Sequence, residues 1–466
     1  MTDRRIVTID IKTLDPSGDG IGSAGSIRVS VPFTIPGERV RVRIGRRQHG
    51  RAIGTLIDVV RASPHRVEAA CRHFGPSAVP GIGPCGGCSW QHIAYSEQLR
   101  LKTQMVDQLV RAIVHDAPPV RPTLPATRVE HPWGYRNKVH FVFDGGVPRE
   151  HDHRASLQMG HYVRGSRRVI PIVECPVHDE RGNAFAFIAR DVFASALHSG
   201  GAAGTLRSLA VRAGVHTDEL MATLVVSDDR NRAVRTATRH LLDVTPPTSM
   251  HVNVHARDDR FIFGRRTRRL HGPARMRETI LGATFLMSPT AFFQTNIRAA
   301  EILVALVLGA VQAPSRVVDL YAGSGLFAIP LALAGNHVTA VEENGDAVAD
   351  GEAALKLNVS ARERCRFVAR RVEDTVSSLR PVDVVVLDPP REGCTRTVLR
   401  AITTRLKPHT VVYVSCNPLA LAEELGVICA DGYEIRALQP VDMFPHSAHI
   451  ETVAILKRPG ASRLSH

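Results

Sequence analysis

Apolar and polar residues alternate over 27–31 and 40–44, which predicts short strands with one buried face. Pro36-Gly37 supplies a turn between them, and 55–60 reads as a further strand. Residues 1–62 therefore have the pattern of a small β-barrel of the oligonucleotide-binding kind. Between Cys71 and Cys88 the chain is too rich in Gly and Pro for regular structure. Helical spacing follows over 95–113, where Leu99, Met105, Val106, Leu109, Val110 and Ile113 fall mostly on one face. Residues 130–290 mix short strands with two helical stretches, 183–197 and 231–242. From Ala291 the runs 317–320, 338–341, 382–387 and 411–414 are apolar and of strand length, separated by helical segments. That is the texture of a parallel sheet covered on both faces. The expected division is 1–62, 63–290 and 291–466.

Composition adds little until charge is considered. In 466 residues, 44% are hydrophobic and 22% charged, which excludes a disordered or collagen-like chain. No apolar run reaches the roughly 20 residues of a membrane span. The N-terminus MTDRRIVTIDIK lacks the apolar core of a secretory signal, so the expected location is cytoplasmic, with no membrane partner and a monomer as default. The net charge of +14 is uneven: residues 291–466 hold 18 Lys/Arg against 19 Asp/Glu, so the whole excess lies earlier, nearly all of it Arg. Guanidinium forks match phosphate oxygens in pairs, and a polyanion such as RNA is the expected partner. Arg41 and Arg43 would share a strand face, with Arg46, Arg47 and Arg51 in the following turn. A second strip holds Arg257, Arg260, Arg265, Arg266, Arg268, Arg269, Arg275 and Arg277, a density that points to phosphate contact.

VVDLYAGSGLF runs from a strand into a helix, and Gly323 and Gly325 let the backbone turn sharply beside a ligand. The next strand ends in Glu342, about 20 residues on, where a carboxylate grips ribose hydroxyls. The first strand ends in Asp319, and no phosphate-binding Lys follows the glycines. S-adenosyl-L-methionine is therefore the expected cofactor.

Cys416 ends a strand just before Asn417-Pro418, which cap and open a helix whose N-terminal partial charge favours a thiolate. Asp388, in LDPPR, ends another strand at the same edge and could bind the cofactor or the substrate base. Glu451 begins the apolar strand 453–456, as a general base or as a solvated strand end. A thiol, a carboxylate and a methyl donor together suit methylation of carbon 5 of uracil. That carbon is inert until a thiolate adds at carbon 6, and a base must then remove its proton.

These residues resemble the RNA uracil-5-methyltransferase family over nearly the whole chain. The motifs are Gly18-Asp19-Gly20-Ile21-Gly22 and VPFTIPGE at 31–38, CGGCSWQH at 85–92, YRNK at 135–138, FFQTN at 292–296, DLYAGSG, DPPREG, SCNP and MFPHSAHIE. The resemblance implies a Rossmann-like α/β class I methyltransferase domain, an N-terminal OB-like TRAM barrel and a central α+β iron–sulfur domain. It implies Cys416 as nucleophile, Glu451 as base, and Gln294, Tyr321, Glu342 and Asp388 as cofactor contacts. It implies a 4Fe-4S cluster on Cys71, Cys85, Cys88 and Cys175, with zinc as the rival metal. Thirteen residues separate Cys71 from Cys85, a longer spacing than the family's. Ribosomal RNA, 23S in particular, is the expected substrate; transfer RNA and a non-catalytic RNA-binding assembly role are the alternatives.

Overall fold

The computed structural model describes residues 6–48, 50–76, 83–145, 157–197, 204–257 and 262–460. Five strands close a barrel: β1 (Ile6–Leu14), β2 (Gly20–Ala24), β3 (Ile27–Val31), β4 (Arg39–Gln48) and β5 (Arg51–Arg61), in the order β1-β2-β3-β5-β4. Val29, Val31, Val40, Val42 and Ala52 fill its interior, while Arg39, Arg41 and Arg43 alternate outward. The turn expected after residue 44 is absent. Register shifts in the β4–β5 ladder absorb the extra residues, so Arg47 and Arg51 are exposed strand residues. The side chain of Arg46, like the whole of Arg260, lies outside the described residues. The buried Glu38 accepts from Arg66 at 2.6 and 2.7 Å and from the amides of Ile35 and Ser63, tying the barrel to the chain that leaves it.

Helix α1 (Tyr95–Arg111) and the two-residue strand β6 (Leu124–Pro125) follow. The central sheet comprises β7 (Lys138–Asp144), β8 (Gln158–Tyr162), β9 (Val169–Pro171), β10 (Leu206–Ala213), β11 (Leu220–Val226), β12 (Ser249–Val254) and β13 (Arg266–His271), ordered β13-β12-β11-β10-β7-β8-β9. Helices α2 (Glu180–Ala196) and α3 (Arg232–Val244) cover one face, where Phe185, Phe193, Ala237 and Leu241 meet Phe141, Leu209, Leu224 and Val252. Helix α2 starts three residues before the predicted stretch because Asp179 caps the amides of Arg181 and Gly182; Asn231 caps α3 as its sequence suggests. A hairpin, β14 (Met276–Ile280) and β15 (Ala283–Met287), leads out.

The last layer contains α4 (Ile297–Ala310), β16 (Arg316–Leu320), α5 (Ala328–Leu333), β17 (His337–Glu342), α6 (Gly345–Leu355), α7 (Val359–Arg362), β18 (Cys365–Ala369), α8 (Val372–Thr375), β19 (Val384–Leu387), α9 (Arg396–Arg400), β20 (Thr410–Ser415), α10 (Pro418–Ala430), β21 (Glu434–Asp442) and β22 (Glu451–Lys457). Its sheet runs β18-β17-β16-β19-β20-β22-β21-β6. The first five strands are parallel and β22 is antiparallel to both neighbours. Val384, Val386, Val412 and Val414 face one apolar layer and Val385, Leu387, Val411 and Tyr413 the other, as burial on both sides requires. Strand order reverses at β16, placing a ligand crevice at the carboxyl ends of β16 and β19. Strand β6 pairs with β21 and α1 packs on α10, so residues 95–125 join this layer rather than the central sheet. Among the described residues no helix is long and apolar enough to cross a membrane.

Candidate active site

Five strands deliver the expected residues to one edge. Strand register sets Tyr321, just past β16, between Glu342 on β17 and Asp388 after β19. Ser415 of β20 pairs with Thr452 of β22, so Cys416 and Glu451 are neighbours one step further along the ladder. Asn417 accepts from the amides of Leu419 and Ala420 and donates to the Arg391 carbonyl at 2.9 Å, joining the Cys416 turn to the DPPR loop. Gln294 is buried between β15 and α4.

The glycine turn is shaped for close approach. Gly323 has φ +55° with open space where a Cβ would sit, and its amide donates to Glu342 at 2.9 Å. The second Glu342 oxygen accepts from Asn344 at 2.8 Å. Tyr321, itself at φ +63°, donates to Glu373 at 3.1 Å, a carboxylate after the third strand to which sequence reading assigned no part. Asp319 is fully buried; its oxygens make no hydrogen bond of normal length among the described residues, the Ala328 amide acting on it only weakly.

The electrostatics follow from this crowding. Burial raises Asp319 well above the usual carboxylate range, and Asp388 adds to that. Burial alone pushes Asp388 up to about 7. Glu451 is raised by burial and then by Asp388, against the guanidinium of Arg391. Cys416 is pushed up to about 11 by burial and by Glu451, with Arg391 opposing. The expected thiolate-favouring helix terminus is thus outweighed, by burial first and by the neighbouring acids second. A cationic ligand at this edge relieves all four acids together. The orphaned Asp319 carboxyl, the acids beside it and the open Gly323 turn fit a sulfonium donor such as adenosylmethionine.

Sequence reading assigned no role to the loop that supports Glu451. Lys102 of α1 reaches Asp442 at 2.5 Å and the Phe444 carbonyl at 3.1 Å, and both ion-pair partners are fully buried. Gln98 of α1 accepts from the His446 amide at 2.8 Å, and the His446 ring stacks on Trp133 at 3.8 Å. Arg391 donates to His449 at 2.9 Å. The signal available in the sequence was a Gln and a Lys four residues apart on the helix face that also carries apolar residues.

The four cysteines of the N-terminal half also converge. Cys71, Cys85, Cys88 and Cys175 line one cleft of about 1080 Å³. Burial, and then the neighbouring thiols, push Cys88 and Cys175 up to about 12. The Gly87 amide donates to the Cys85 sulfur at 3.4 Å. Gly86 lies 3.0 Å, measured from a would-be Cβ, from the Tyr162 carbonyl, so a side chain there would crowd the loop against the central sheet. Among the described residues no group of three ligands is spaced to hold a single metal ion.

A parallel sheet with a glycine turn after its first strand and an acid at the end of its second, closed by an antiparallel β21–β22 pair, defines a class I methyltransferase fold. The tRNA (uracil-5-)-methyltransferase family model matches residues 217–459, and the TRAM-domain model of tRNA (uracil(54)-C(5))-methyltransferase matches residues 7–65. An uncharacterized RNA methyltransferase of Gloeobacter violaceus is 36% identical, covering 97% of this chain and 96% of that protein. One from Halalkalibacterium halodurans is 32% identical over 97% of each. The crystal structure of Pyrococcus abyssi tRNA (uracil-54, C5)-methyltransferase in complex with S-adenosyl-L-homocysteine superposes with a TM-score of 0.75 at 24% identity, covering 97% of this chain and all of that one. The chain belongs to the family of adenosylmethionine-dependent RNA uracil-5-methyltransferases.

Proposed function

We propose that the protein methylates carbon 5 of a uridine in ribosomal RNA, 23S in particular, using Cys416 as nucleophile and Glu451 as base. Adenosylmethionine, as co-substrate, supplies an electrophilic methyl group. Cys416 gives up its proton to solvent water and its sulfur bonds to carbon 6 of the flipped uracil; the ring's double-bond pair becomes an enolate. Carbon 5 takes the methyl as the sulfonium–carbon bond breaks. Glu451 removes the carbon 5 proton, the double bond re-forms, and the sulfur leaves. Gln294, Tyr321, Glu342 and Asp388 hold the donor, with Asp388 facing its positive charge.

The placement of Cys416 beside Glu451, one step past the Ser415–Thr452 pair of the β20–β22 ladder, carries this reading. RNA containing 5-fluorouracil tests it, because fluorine cannot leave as a proton does. The wild type should form a covalent adduct stable to denaturant, and Cys416→Ala should form none. An adduct in the alanine variant would refute the nucleophile. The ribosomal choice rests on the cysteine cleft beside a TRAM barrel; transfer RNA is the second reading, supported by the names of the matching family models. Mapping 5-methyluridine in total RNA with and without the protein separates them from each other and from a non-catalytic assembly role.

The four-thiol cleft suits a 4Fe-4S cluster, which the resemblance favours; four thiolates would suit zinc as well. The N–H···S bond to Cys85 suits a cluster sulfur. Methyl transfer moves no net electrons, so Cys71, Cys85, Cys88 and Cys175 would serve architecture rather than chemistry.

A further inference from the structure

The central sheet has two unlike faces. Helices α2 and α3 seal the apolar one. The alternate residues of β12 and β13, including His251, Asn253, Thr267 and Arg269, belong to the other. Where that face meets the catalytic layer lies a groove of about 870 Å³. Its walls include His251, Arg265, Thr267 and Arg269 on one side, and Ser288, Thr290 and Asn344 on the other. Asn344 adjoins the Glu342 edge, and Thr290 leads to Gln294. The groove therefore borders the methyl-transfer site without being part of it.

Two independent observations mark it as built for a ligand. His251 is 2% exposed, yet neither ring nitrogen has a hydrogen-bond partner among the described residues. A buried imidazole without partners is destabilising, and a bound polar group would offset that. The arginines are also sorted by face. Arg266 and Arg268 pair with Asp229, whereas exposed Arg265 and Arg269 have no ion-pair partner among the described residues. Asn253 clamps the Gly264 amide at 2.7 Å and the Thr267 hydroxyl at 2.8 Å, which fixes the wall.

We propose that this groove is a nucleotide subsite for the substrate RNA, in which Arg265 and Arg269 hold a backbone phosphate and His251 hydrogen-bonds a base edge through one ring nitrogen. The subsite reads a nucleotide other than the target uridine and rests on the reading of the protein as an RNA methyltransferase. A neutral imidazole offers an N–H on one side of the ring and a lone pair on the other, so one nitrogen meets the base edge as donor or acceptor according to the tautomer. A volume of this size takes one or two nucleotides.

The test uses the full-length protein and measures RNA affinity, KM and kcat, with adenosylmethionine affinity as control. His251→Leu should weaken RNA binding and raise KM for RNA about tenfold, a single good polar contact being about 1–3 kcal/mol. His251→Gln, which keeps a donor and an acceptor, should recover most of that loss. Arg269→Ala should weaken binding to all sequences alike and make it less steep in salt, by about one unit of slope. Donor affinity and kcat should stay at wild-type values in each. Unchanged RNA affinity in both His251→Leu and Arg269→Ala would overturn the subsite, as would a parallel loss of donor affinity in His251→Leu. Absence of 5-methyluridine from wild-type reactions would instead strike at the activity, while the affinity series would still decide the groove.

Discussion

Asp388 is the acid whose titration falls in a usable range. Its carboxyl moves from 3.8 to about 7 on folding because burial disfavours the charge. Between those values the folded chain keeps a proton that the unfolded chain releases, so this group's contribution to stability declines as pH rises from about 4 to 7. Asp388→Asn does not titrate. Its melting temperature, taken relative to wild type, should therefore be higher at pH 8 than at pH 5, and differential scanning calorimetry at the two pH values checks this. Donor binding has the opposite sign. A sulfonium favours the ionised carboxylate, so adenosylmethionine affinity should fall about tenfold per unit below pH 7. S-adenosylhomocysteine, which lacks that charge, should show a flatter profile by calorimetry, and Asp388→Asn should flatten the first. Glu451→Gln keeps the shape at the strand end but removes the proposed proton acceptor. With ordinary RNA it should accumulate the covalent intermediate and lose at least a hundredfold in turnover, read by denaturing gel and a methyl-transfer assay. At this scale the sequence was most legible where a residue ends a strand: Cys416, Asp388 and Glu342 each follow an apolar run. Glu373 and His251 were not legible, because nothing local distinguishes a carboxylate or an imidazole that meets its neighbours only through the fold.

Elements with a strong period were readable, and those defined by a partner were not. Helix α1 announced itself through Val106 and Val110, which sit in the core against Leu421 and Leu425 of α10. Strand β6 did not, since two residues ending in Pro125 carry no pattern and exist only by pairing with Val441 and Asp442. What α1 does for the site is equally invisible along the chain. Its Lys102 neutralises Asp442 in a fully buried pair, and its Gln98 fixes the turn at His446 that leads to Glu451. Burial lowers the Lys102 ammonium and Asp442 restores it, so each member depends on the other. Lys102→Met should leave a lone buried carboxylate and cost about 3–5 kcal/mol. The double substitution Lys102→Met with Asp442→Leu should recover most of the lost melting temperature, since an apolar pair of similar volume replaces a buried ion pair at little cost. Single and double variants melting alike would show that α1 docks through its apolar face alone.

Across the whole molecule the unevenness of charge and the position of the cysteines have one consequence. The acid-balanced layer 291–466 is joined to two modules that carry the whole basic excess, so the stronger attraction for a polyanion and the proposed chemistry are lodged in different parts of the chain. Cys71, Cys85 and Cys88 lie on the segment between the barrel and α1, whereas Cys175 lies between β9 and α2. Arg164, just past β8, pairs with Asp19 of the barrel at 2.6 Å, and Trp90 donates to the Gly18 carbonyl at 2.8 Å in the same region. A cluster across those thiolates would staple barrel, linker and central sheet at one point. Purified without oxygen, the protein should be brown and hold about four irons per chain. Removing the iron by oxidation and chelation should lower the melting temperature by several degrees, at roughly 2–4 °C per kcal/mol. It should also expose the 71–88 segment to proteases and raise KM for RNA, while adenosylmethionine affinity stays unchanged, because the donor edge of β16 and β19 belongs to another layer. A colourless protein with one zinc, or an iron-free form that melts and binds RNA as the purified protein does, would leave the four converging thiols without that role.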